Sequence, residues 1–361
     1  MSGPTLRLGI VGTGAISGAY AAHIGEQPTL SIVAATDLDG ERSAAFCAEH
    51  GGVPTSTLDE LLRLDLDVVV NLTVPSQHYA VTRAALEAGK HVHSEKPLAP
   101  TGELAWELVR LAEERGLRLS CSPFTLMGEA QQTAWELIRA GSIGRVRIVY
   151  AETDWGRIET WHPAPQSFYA VGPVADVGIY PLSVVTGILG PVRQVTAVGR
   201  TLLPERTTSG GVPFTLDRPD TYLVVLDLEN GTVVRLTSSF YTGKQAKGHA
   251  GVAFHGDTGS VWLDDSMMFD AAVELAPLGD DEVHSPVPLI RSSPPSFDWS
   301  RGLTDLRDAI AEGRPHRASG AHAAHLVDVL SAVDRSVETG GAPIAVSSSF
   351  PPPLPMPWAE A

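Results

Sequence analysis

The chain has 361 residues, of which 43% are apolar and 19% charged, and its formal net charge is −16. This length predicts two domains with a sizeable core, and the acidic balance excludes a phosphate-backbone partner, so nucleic acid is not expected. No apolar run is long enough to span a membrane, the first residues lack a signal-peptide pattern, and Cys47 and Cys121 are isolated, which together predict a cytoplasmic protein.

Strand-like and helix-like segments alternate over the first third of the chain. The predicted strands are residues 6–11, 30–36, 68–73, 90–94 and 118–122. The predicted helices are residues 15–24, 41–50, 58–63, 79–88 and 104–115. Alternation at this spacing is typical of α/β proteins and predicts a doubly wound parallel sheet over residues 1–125.

The pattern changes after about residue 125, where strand-like runs follow one another. A helix predicted over 131–140 precedes runs at 146–153, 192–203, 222–228, 232–240, 252–255, 260–263 and 272–275. Tight turns such as Glu229-Asn230-Gly231 join neighbours, which predicts a largely antiparallel sheet. Helices predicted over 303–311 and 321–337 complete a second domain, 126–345, and the Pro-rich tail, 346–361, is expected to be a frayed terminus.

A glycine-rich segment, Gly12-Thr13-Gly14-Ala15-Ile16-Ser17-Gly18, follows the first predicted strand and opens the first predicted helix. Glycine allows a tight turn and lets the backbone approach a pyrophosphate, which the N–H groups of the helix N-terminus bind. Ser17 stands where the G-x-G-x-x-G pattern has its third glycine, and serine is small enough for close helix–strand packing. The segment therefore predicts a dinucleotide site.

Asp37 ends the second predicted strand, where a carboxylate accepts hydrogen bonds from ribose hydroxyls. Because it repels a 2′-phosphate, NAD is favoured over NADP as the cofactor. Arg42 lies close in sequence and could soften this preference. The alternative is that Asp37 and Asp39 are ordinary solvated loop residues.

Glu95-Lys96-Pro97 follows the predicted strand at 90–94. Strand ends of this kind face the ligand crevice of a doubly wound sheet, and a lysine there can stabilise a developing alkoxide. The proline restricts the backbone of Lys96, and a cis bond would fix the aim of the side chain. Taken alone, the motif would be interpreted by default as a surface turn.

Together these motifs resemble the Gfo/Idh/MocA oxidoreductases, a family that includes glucose–fructose oxidoreductase and inositol dehydrogenases. Besides the glycine loop and Asp37, the resemblance rests on Asn71-Leu72-Thr73-Val74-Pro75 with His78, on Glu95-Lys96-Pro97-Leu98-Ala99, on Gly141-Ser142-Ile143-Gly144-Arg145-Val146, on Asp176-Val177-Gly178-Ile179-Tyr180 and on Gly313-Arg314-Pro315. It extends over nearly the whole chain. It implies a Rossmann domain and then an α/β domain whose large, open, mainly antiparallel sheet supports a homodimer or homotetramer.

The resemblance also implies an activity and its residues. The expected reaction transfers a hydride between nicotinamide C4 and a secondary alcohol or ketone carbon of a sugar, glycoside or cyclitol. Lys96, Asp176 and Tyr180 are the implied catalytic residues, with Tyr180 as general acid/base, its phenol pKa lowered by the Lys96 ammonium, and Asp176 orienting the substrate. The implied cofactor contacts are Gly12, Thr13, Gly14, Ala15, Ile16, Asp37, Thr73, Pro75, His78, Glu95 and Lys96.

Asp176 and Tyr180 are four residues apart and would share a helical face. The alternative for Tyr180 is a core aromatic with a satisfied hydroxyl. Predicted substrate contacts are Trp155, Trp161, His162 and Phe124, since aromatic rings suit the C–H face of a sugar; ordinary packing is the alternative.

The chain departs from the family pattern at three places. Residues 171–175 replace a glycine-rich run, Ser183 stands where a carboxylate is common, and Phe124-Thr125-Leu126-Met127 lacks the arginine of many relatives. The substrate pocket is therefore expected to be less polar than in inositol dehydrogenases.

Two histidine pairs need separate interpretations. His91 and His93 share a strand face, but no further ligand cluster accompanies them, so no metal is expected. His322 and His325 lie one helical turn apart and are expected on a solvated or partner-facing helix face. Two other functions stay open: a glycosidase that uses NAD for transient oxidation, and a non-catalytic dinucleotide sensor, against which the intact catalytic residues argue.

Overall fold

The computed structural model describes residues 5–279, 283–293 and 295–360. The chain forms two compact units, the first of Met1–Phe124 with Asp298–Val327, and the second of Thr125–Phe297 with Asp328–Ala361. The segment 298–327 thus packs within the first unit, whereas the sequence analysis had assigned it to the second domain. A single boundary between residues 125 and 126 therefore does not describe the two units, because the chain returns to the first unit at Asp298.

Helices and strands alternate in the first unit as predicted. Its strands are β1 (Leu6–Val11), β2 (Leu30–Thr36), β3 (Val53–Thr55), β4 (Val68–Asn71), β5 (His91–Ser94) and β6 (Leu119–Cys121). The helices between them are α1 (Ser17–Gly25), α2 (Gly40–His50), α3 (Leu58–Leu62), α4 (His78–Glu87) and α5 (Gly102–Glu114).

The strands pair in parallel in the order β3-β2-β1-β4-β5-β6. This is the doubly wound order of a Rossmann sheet, and the direction of winding reverses between β1 and β4. Val68, Val69 and Val70 in β4 are fully buried, as expected of a strand covered by helices on both faces. The predicted parallel α/β sheet is confirmed.

The second unit begins with a helix and continues as a large sheet. Its helices are α6 (Glu129–Arg139), α7 (Gln166–Val171) and α8 (Ile179–Leu189). Its strands are β7 (Val146–Asp154), β8 (Val192–Arg200), β9 (Glu205–Thr207), β10 (Pro213–Thr215), β11 (Thr221–Leu228), β12 (Val233–Ser239), β13 (Val252–Gly256), β14 (Gly259–Leu263), β15 (Val273–Pro277), β16 (Ser285–Val287) and β17 (Ile344–Ala345). The last two helices are α9 (Arg301–Glu312), in the first unit, and α10 (Gly320–Glu338), which runs from the first unit into the second.

The large sheet has the order β16-β15-β14-β13-β7-β12-β11-β8-β17 among the described residues, and β9 and β10 form a separate hairpin. Only β7 and β12 pair in parallel in this part of the chain, so the predicted large, mainly antiparallel sheet is confirmed. Its side chains alternate: Val224 and Leu226 are fully buried, whereas Leu223 and Val225, which alternate with them along β11, are exposed. One face therefore presents apolar side chains to solvent.

The Pro-rich tail is not frayed, and that expectation was wrong. The backbone N–H of Met356 donates to Gln132 Oε1 at 2.9 Å, and the guanidinium of Arg139 donates to the carbonyl of Ala359. Phe350 is buried as well. Proline prevents regular structure in this segment, but Phe350 and Met356 are buried within the second unit, and α6 supplies the polar partners.

His322 and His325 are both buried in α10, so the expected solvated or partner-facing position is also wrong. Burial, together with the neighbouring His325, lowers the pKa of His322 to about 3. A spacing of three residues identifies a shared helix face but not what covers it. Within residues 5–279, 283–293 and 295–360, no helix combines the length and the apolar character needed to cross a bilayer.

Candidate active site

The turn between β1 and α1 requires glycine at its first position. Gly12 has φ of 92°, and a Cβ there would lie 2.7 Å from the carbonyl oxygen of Leu72. At Gly14, by contrast, a Cβ would meet no described atom within 4 Å. Ser17 is buried and its hydroxyl donates to the carbonyl of Gly14 at 2.7 Å, so serine at this position closes the turn. The space beside Gly14 is open.

The N-terminus of α1 is left for a ligand. Asp39, Thr57 and Thr101 cap α2, α3 and α5 by accepting backbone N–H bonds. No side chain of the described residues does this for α1, which begins after Ile16. The N–H of Ser17 donates to the carbonyl of Gly14 at 3.1 Å, and the N–H groups that follow it, with the partial positive charge of the helix end, suit an anionic group.

Asp37, at the end of β2, is fixed beside this turn. Its Oδ2 accepts from the backbone N–H of Thr13 at 2.7 Å and from the Thr13 hydroxyl at 3.1 Å. Burial raises the pKa of Asp37, but hydrogen bonds from Asp39 and Thr13, with the nearby Arg42, outweigh it, so that the pKa lies below its ordinary value. Asp37 is therefore an ionised acceptor at neutral pH, held in place by the turn itself.

A cavity of about 670 Å³ opens at the carboxyl ends of β1, β2 and β4. The residues that line it come from the segments that follow β1, β2, β3 and β4 and from the first turn of α2. They include Gly12, Gly14, Asp37, Arg42, Thr57, Thr73, Val74 and Gln77. Leu38 and Val74 are exposed apolar side chains at its rim. The glycine turn, the uncapped helix end and a carboxylate beside an apolar-rimmed cavity together fit the pyrophosphate and adenosine ribose of a dinucleotide.

The side chain of Glu95 holds the backbone N–H of Lys96 just after β5. Its Oε1 accepts from the hydroxyl of Tyr20 at 2.7 Å and from the hydroxyl of Ser122 at 3.0 Å, and its Oε2 accepts from the N–H of Lys96 at 3.1 Å. The bond between Lys96 and Pro97 is cis. The Glu95 carboxylate is therefore engaged by Tyr20, Ser122 and the backbone of Lys96. A direct contact of Glu95 with the cofactor stays a prediction.

His78 joins the two loops that follow β4 and β5. It is 1% exposed, and its ring nitrogens lie 2.7 Å from the carbonyl oxygen of Pro97 and 2.9 Å from that of Thr73. The side chain of Asn71 donates to the carbonyl of His78 at 3.0 Å. His78 therefore holds the Lys96-Pro97 segment against the Thr73 segment, where Pro75 begins a short helical turn. The predicted contacts of Thr73, Pro75 and His78 with the cofactor stay predictions.

Asp176 and Tyr180 lie on one continuous helical segment, as the sequence analysis expected. Asp176 is in a turn of π-helix, Val174–Gly178, and Tyr180 is the second residue of α8, which continues from it. Both side chains are half-buried. Such π-turns occur frequently at functional sites. Lys96 belongs to the first unit and this pair to the second, and their meeting at a nicotinamide stays a prediction.

The predicted aromatic substrate contacts occupy different surroundings. Trp161 is 49% exposed and meets the rings of His162 and Phe168 edge to face, each at 5.6 Å between centroids. Trp155 is half-buried and packs against a core cluster that contains Val177. Phe124 is 2% exposed and packs against His93, so it offers a substrate almost no surface.

A buried ion network behind the Trp161 segment was not predicted. Arg206 donates to Glu159 at 2.9 Å and to Asp220 at 2.6 Å, and the hydroxyl of Tyr169 donates to Glu159 at 2.5 Å. The side chains of Arg206 and Asp220 are fully buried. The network ties the segment after β7 to the β9–β10 hairpin. Its members are far apart in sequence, so no local pattern could have signalled it.

The histidines of β5 have protein partners. His91 Nδ1 accepts from the backbone N–H of Arg118 at 2.9 Å, and His93 Nδ1 lies 3.0 Å from the hydroxyl of Ser120. Burial, the largest influence, lowers the pKa of His93 to about 4. His93 is therefore a neutral, packed residue at neutral pH.

The Rossmann sheet and the dinucleotide cradle are typical of nicotinamide-dependent oxidoreductases, and comparison with known families supports this class. The family model described as "Oxidoreductase family, NAD-binding Rossmann fold" matches residues 6–122, and the model "GFO/IDH/MocA C-terminal domain" matches residues 131–262. The two matches account for most of both units. The chain belongs to the Gfo/Idh/MocA oxidoreductase family.

Curated relatives include sugar-modifying enzymes. A dTDP-3,4-didehydro-2,6-dideoxy-alpha-D-glucose 3-reductase of Streptomyces antibioticus is 34% identical over 219 residues, which cover 57% of this chain and 63% of that enzyme. The D-glucoside 3-dehydrogenase of Escherichia coli K12 is 25% identical over 362 residues, which cover 94% of this chain and 97% of that enzyme.

Among solved structures, an NAD binding oxidoreductase from Klebsiella pneumoniae has a TM-score of 0.84 at 20% identity, over 95% of this chain and 100% of that one. A levoglucosan dehydrogenase, solved with NADH and L-sorbose, has a TM-score of 0.82 at 20% identity, over 95% and 99%. At this identity these two similarities concern the fold.

Proposed function

We propose that this protein is an NAD-dependent oxidoreductase that transfers a hydride between nicotinamide C4 and a secondary alcohol or ketone carbon of a sugar, glycoside or cyclitol. The observation that carries the proposal is the position of Lys96. It follows β5 at the same edge of the sheet as the glycine turn, Glu95 accepts from its backbone N–H, and His78 contacts the carbonyl of the next residue, Pro97. Sugar-modifying relatives support the substrate class.

The residues proposed to hold the cofactor are those of the cradle. Backbone N–H groups of the segment from Gly12 to Ile16 would bind the pyrophosphate, and Asp37 would accept from the ribose hydroxyls. When bound, a nicotinamide dinucleotide supplies the hydride acceptor or donor of the reaction. The loops that His78 joins, with Thr73 and Pro75 in one and Lys96 in the other, would flank it.

Three side chains of this chain are proposed to handle the substrate. The Lys96 ammonium would donate a hydrogen bond to the reacting hydroxyl and stabilise the alkoxide that develops as the carbon is oxidised. Tyr180, ionised as a phenolate, would take the hydroxyl proton during oxidation and, as the phenol, would return it during reduction. Asp176, one turn earlier on the same helical segment, would accept from a substrate hydroxyl and orient it.

Selectivity for NAD over NADP is proposed to come from Asp37. A carboxylate that stays ionised repels a 2′-phosphate, and Arg42 is not an independent phosphate site, since its guanidinium lies 3.9 Å from Asp37 and 3.6 Å from Asp39. Both carboxylates would compete with a phosphate for it.

The first experiment combines binding with turnover. We expect tryptophan fluorescence to report NADH binding at least about tenfold tighter than NADPH binding, a difference that one charge repulsion supplies. K96M should retain NADH affinity and lose turnover of a glucoside and inositol panel by about 10² to 10⁴-fold. Full turnover by K96M would refute the role of the lysine, and tighter NADPH binding would refute that of Asp37.

We further propose that the open face of the large sheet forms a homodimer or homotetramer. Leu223 on β11 pairs with Val198 on β8, and both side chains, with Val225, are exposed on one face. A row of exposed apolar residues across neighbouring strands is typical of a protein–protein contact.

A further inference from the structure

We infer that the second unit contains a subsite for an anionic substituent of the substrate, formed by Arg157, Lys244 and Lys247, so that the preferred sugar carries carboxylate or phosphate oxygens. The inference rests on the proposed function and narrows its substrate class. It follows from three observations: the cations lie on two connected segments, aromatic rings hold two of them, and no carboxylate of the described residues pairs with them.

The three cations lie on two segments that are tied together. Arg157 follows β7, and Lys244 and Lys247 belong to the loop between β12 and β13. The N–H of Gly156 donates to the carbonyl of Thr242 at 2.8 Å, and the N–H of Asp154 donates to the carbonyl of His249 at 2.7 Å. The loop is thus anchored at both ends to the residues around Arg157.

Aromatic rings hold two of the cations in place. The ammonium nitrogen of Lys244 lies 3.6 Å from the centroid of the Trp155 ring, and the guanidinium carbon of Arg157 lies 5.0 Å from that of Tyr241. A cation over an aromatic face is oriented but keeps its full charge. The side chains are therefore preorganised without being neutralised.

Carboxylates nearby do not neutralise this cluster. In a chain with 42 acidic and 26 basic residues, an exposed cation would ordinarily find an acidic partner. Yet within the part of the chain that the structure describes, Arg157, Lys244 and Lys247 form no ion pair, while Glu152 pairs with Arg235 and Glu159 with Arg206. Two of the four lysines of the whole sequence stand in this one loop.

The cluster lies beside the catalytic segment of the same unit. Trp155, the ring beneath Lys244, packs against the core cluster that contains Val177, the residue after Asp176. The inference therefore requires that a substrate oriented by Asp176 and Tyr180 extend its anionic substituent towards the Trp155 ring and Lys244. Charge-assisted hydrogen bonds to carboxylate or phosphate oxygens are the contacts that lysine and arginine make best.

The test compares three substrates that share one sugar ring: a methyl glucoside, glucuronic acid, and glucose linked to a nucleoside diphosphate. We expect at least one anionic member to have a higher kcat/KM than the methyl glucoside, and this advantage to fall as salt is added. In K244Q/K247Q it should fall by about tenfold or more, with turnover of the methyl glucoside within about twofold of wild type. Comparison of glucuronic acid with the nucleotide-linked glucose shows whether the subsite prefers a carboxylate or a diphosphate.

R147Q is the matched control, because Arg147 lies at the other end of β7, is exposed, and pairs with Asp257. It removes one positive charge, against two in K244Q/K247Q, and should leave the preference unchanged, and K244R should retain it. Equal kcat/KM for all three substrates, or an equal loss for all three in K244Q/K247Q, would overturn the inference and leave the proposed function standing.

If NADH binds and none of the three sugars is turned over, the proposed function fails instead. Calorimetric binding of glucuronic acid and of the nucleotide-linked glucose to the NADH-loaded protein then decides the inference separately. Weaker binding to K244Q/K247Q than to R147Q supports the anionic subsite, and equal binding refutes it.

Discussion

Asp154 ends β7 with 8% of its surface exposed, and burial, reinforced by Glu152, raises the pKa of its carboxyl from 3.8 to about 6. A carboxyl with a higher pKa in the folded chain binds more protons when folded than when unfolded. Its favourable contribution is therefore fully present below about pH 4 and is lost as the pH rises through about 6.

We expect D154N to unfold at a higher temperature than the wild type at pH 7, because the amide fills the same volume without a charge. The pKa difference corresponds to at most about 3 kcal/mol. Scanning calorimetry at pH 7 and pH 4 checks this, since the advantage should disappear at pH 4. D264N, at an exposed position, is the control. Destabilisation of D154N at pH 7 would show that the carboxylate makes a favourable contact.

At the scale of elements, the β1–α1 turn separates two uses of glycine. Gly12 has a positive φ and no room for a Cβ, so the fold needs it. Gly14 has open space beside it, so the fold does not need glycine there. A ligand that approaches the backbone would need it, because a side chain would occupy that space.

We therefore expect G12A and G14A to fail in different ways. G12A should lower the free energy of unfolding by about 2 kcal/mol or more, through the strained φ and the contact with Leu72. G14A should unfold like the wild type but bind NADH about tenfold or more weakly, because its methyl group would occupy the space proposed for the pyrophosphate. Denaturant unfolding and fluorescence titration distinguish them. Unchanged NADH binding by G14A would refute the proposed position of the pyrophosphate at this turn.

Long, strongly patterned elements were predictable from the sequence, and several of the shortest strands were not. β1 and β2 have the predicted bounds, and the other long elements shift by a few residues. The pairs β9–β10 and β8–β17, and the edge strands β3 and β16, were missed, because strands of two or three residues carry no measurable alternation and depend on a partner strand. The position of the tail was missed for the same reason, because it depends on contacts with α6, a partner distant in sequence.

For the molecule as a whole, the exposed face of the large sheet decides the expected assembly. Leu223, Val225 and Val198 are 55%, 43% and 40% exposed, although strands of this composition usually bury such residues. The cost of leaving them in water would be removed by a second copy of the chain packed on the same face.

We expect the wild type to sediment as a dimer or tetramer, and L223D to shift it towards monomer, since a buried, unpaired carboxylate opposes association. L278D is the control, because Leu278 is also exposed but lies after β15, outside the strands. Sedimentation velocity and light scattering measure both variants. A monomeric wild type at micromolar concentration, or an unchanged L223D, would exclude this face as the contact.

The sequence by itself determined the family and the order of the Rossmann elements, and it predicts the chemistry of the glycine turn, Asp37 and Lys96. It could do so because these features are local: a strand, a tight turn and a helix start are specified by residues close together in the chain. Only the tertiary structure decided that Glu95 and His78 support Lys96 from behind and that His322 and His325 are buried. It also decided that Arg206, Glu159 and Asp220 form one buried network and that Lys244 lies over Trp155. Contacts between residues tens of positions apart depend on how sheets and loops pack, and no periodicity in the chain encodes that packing.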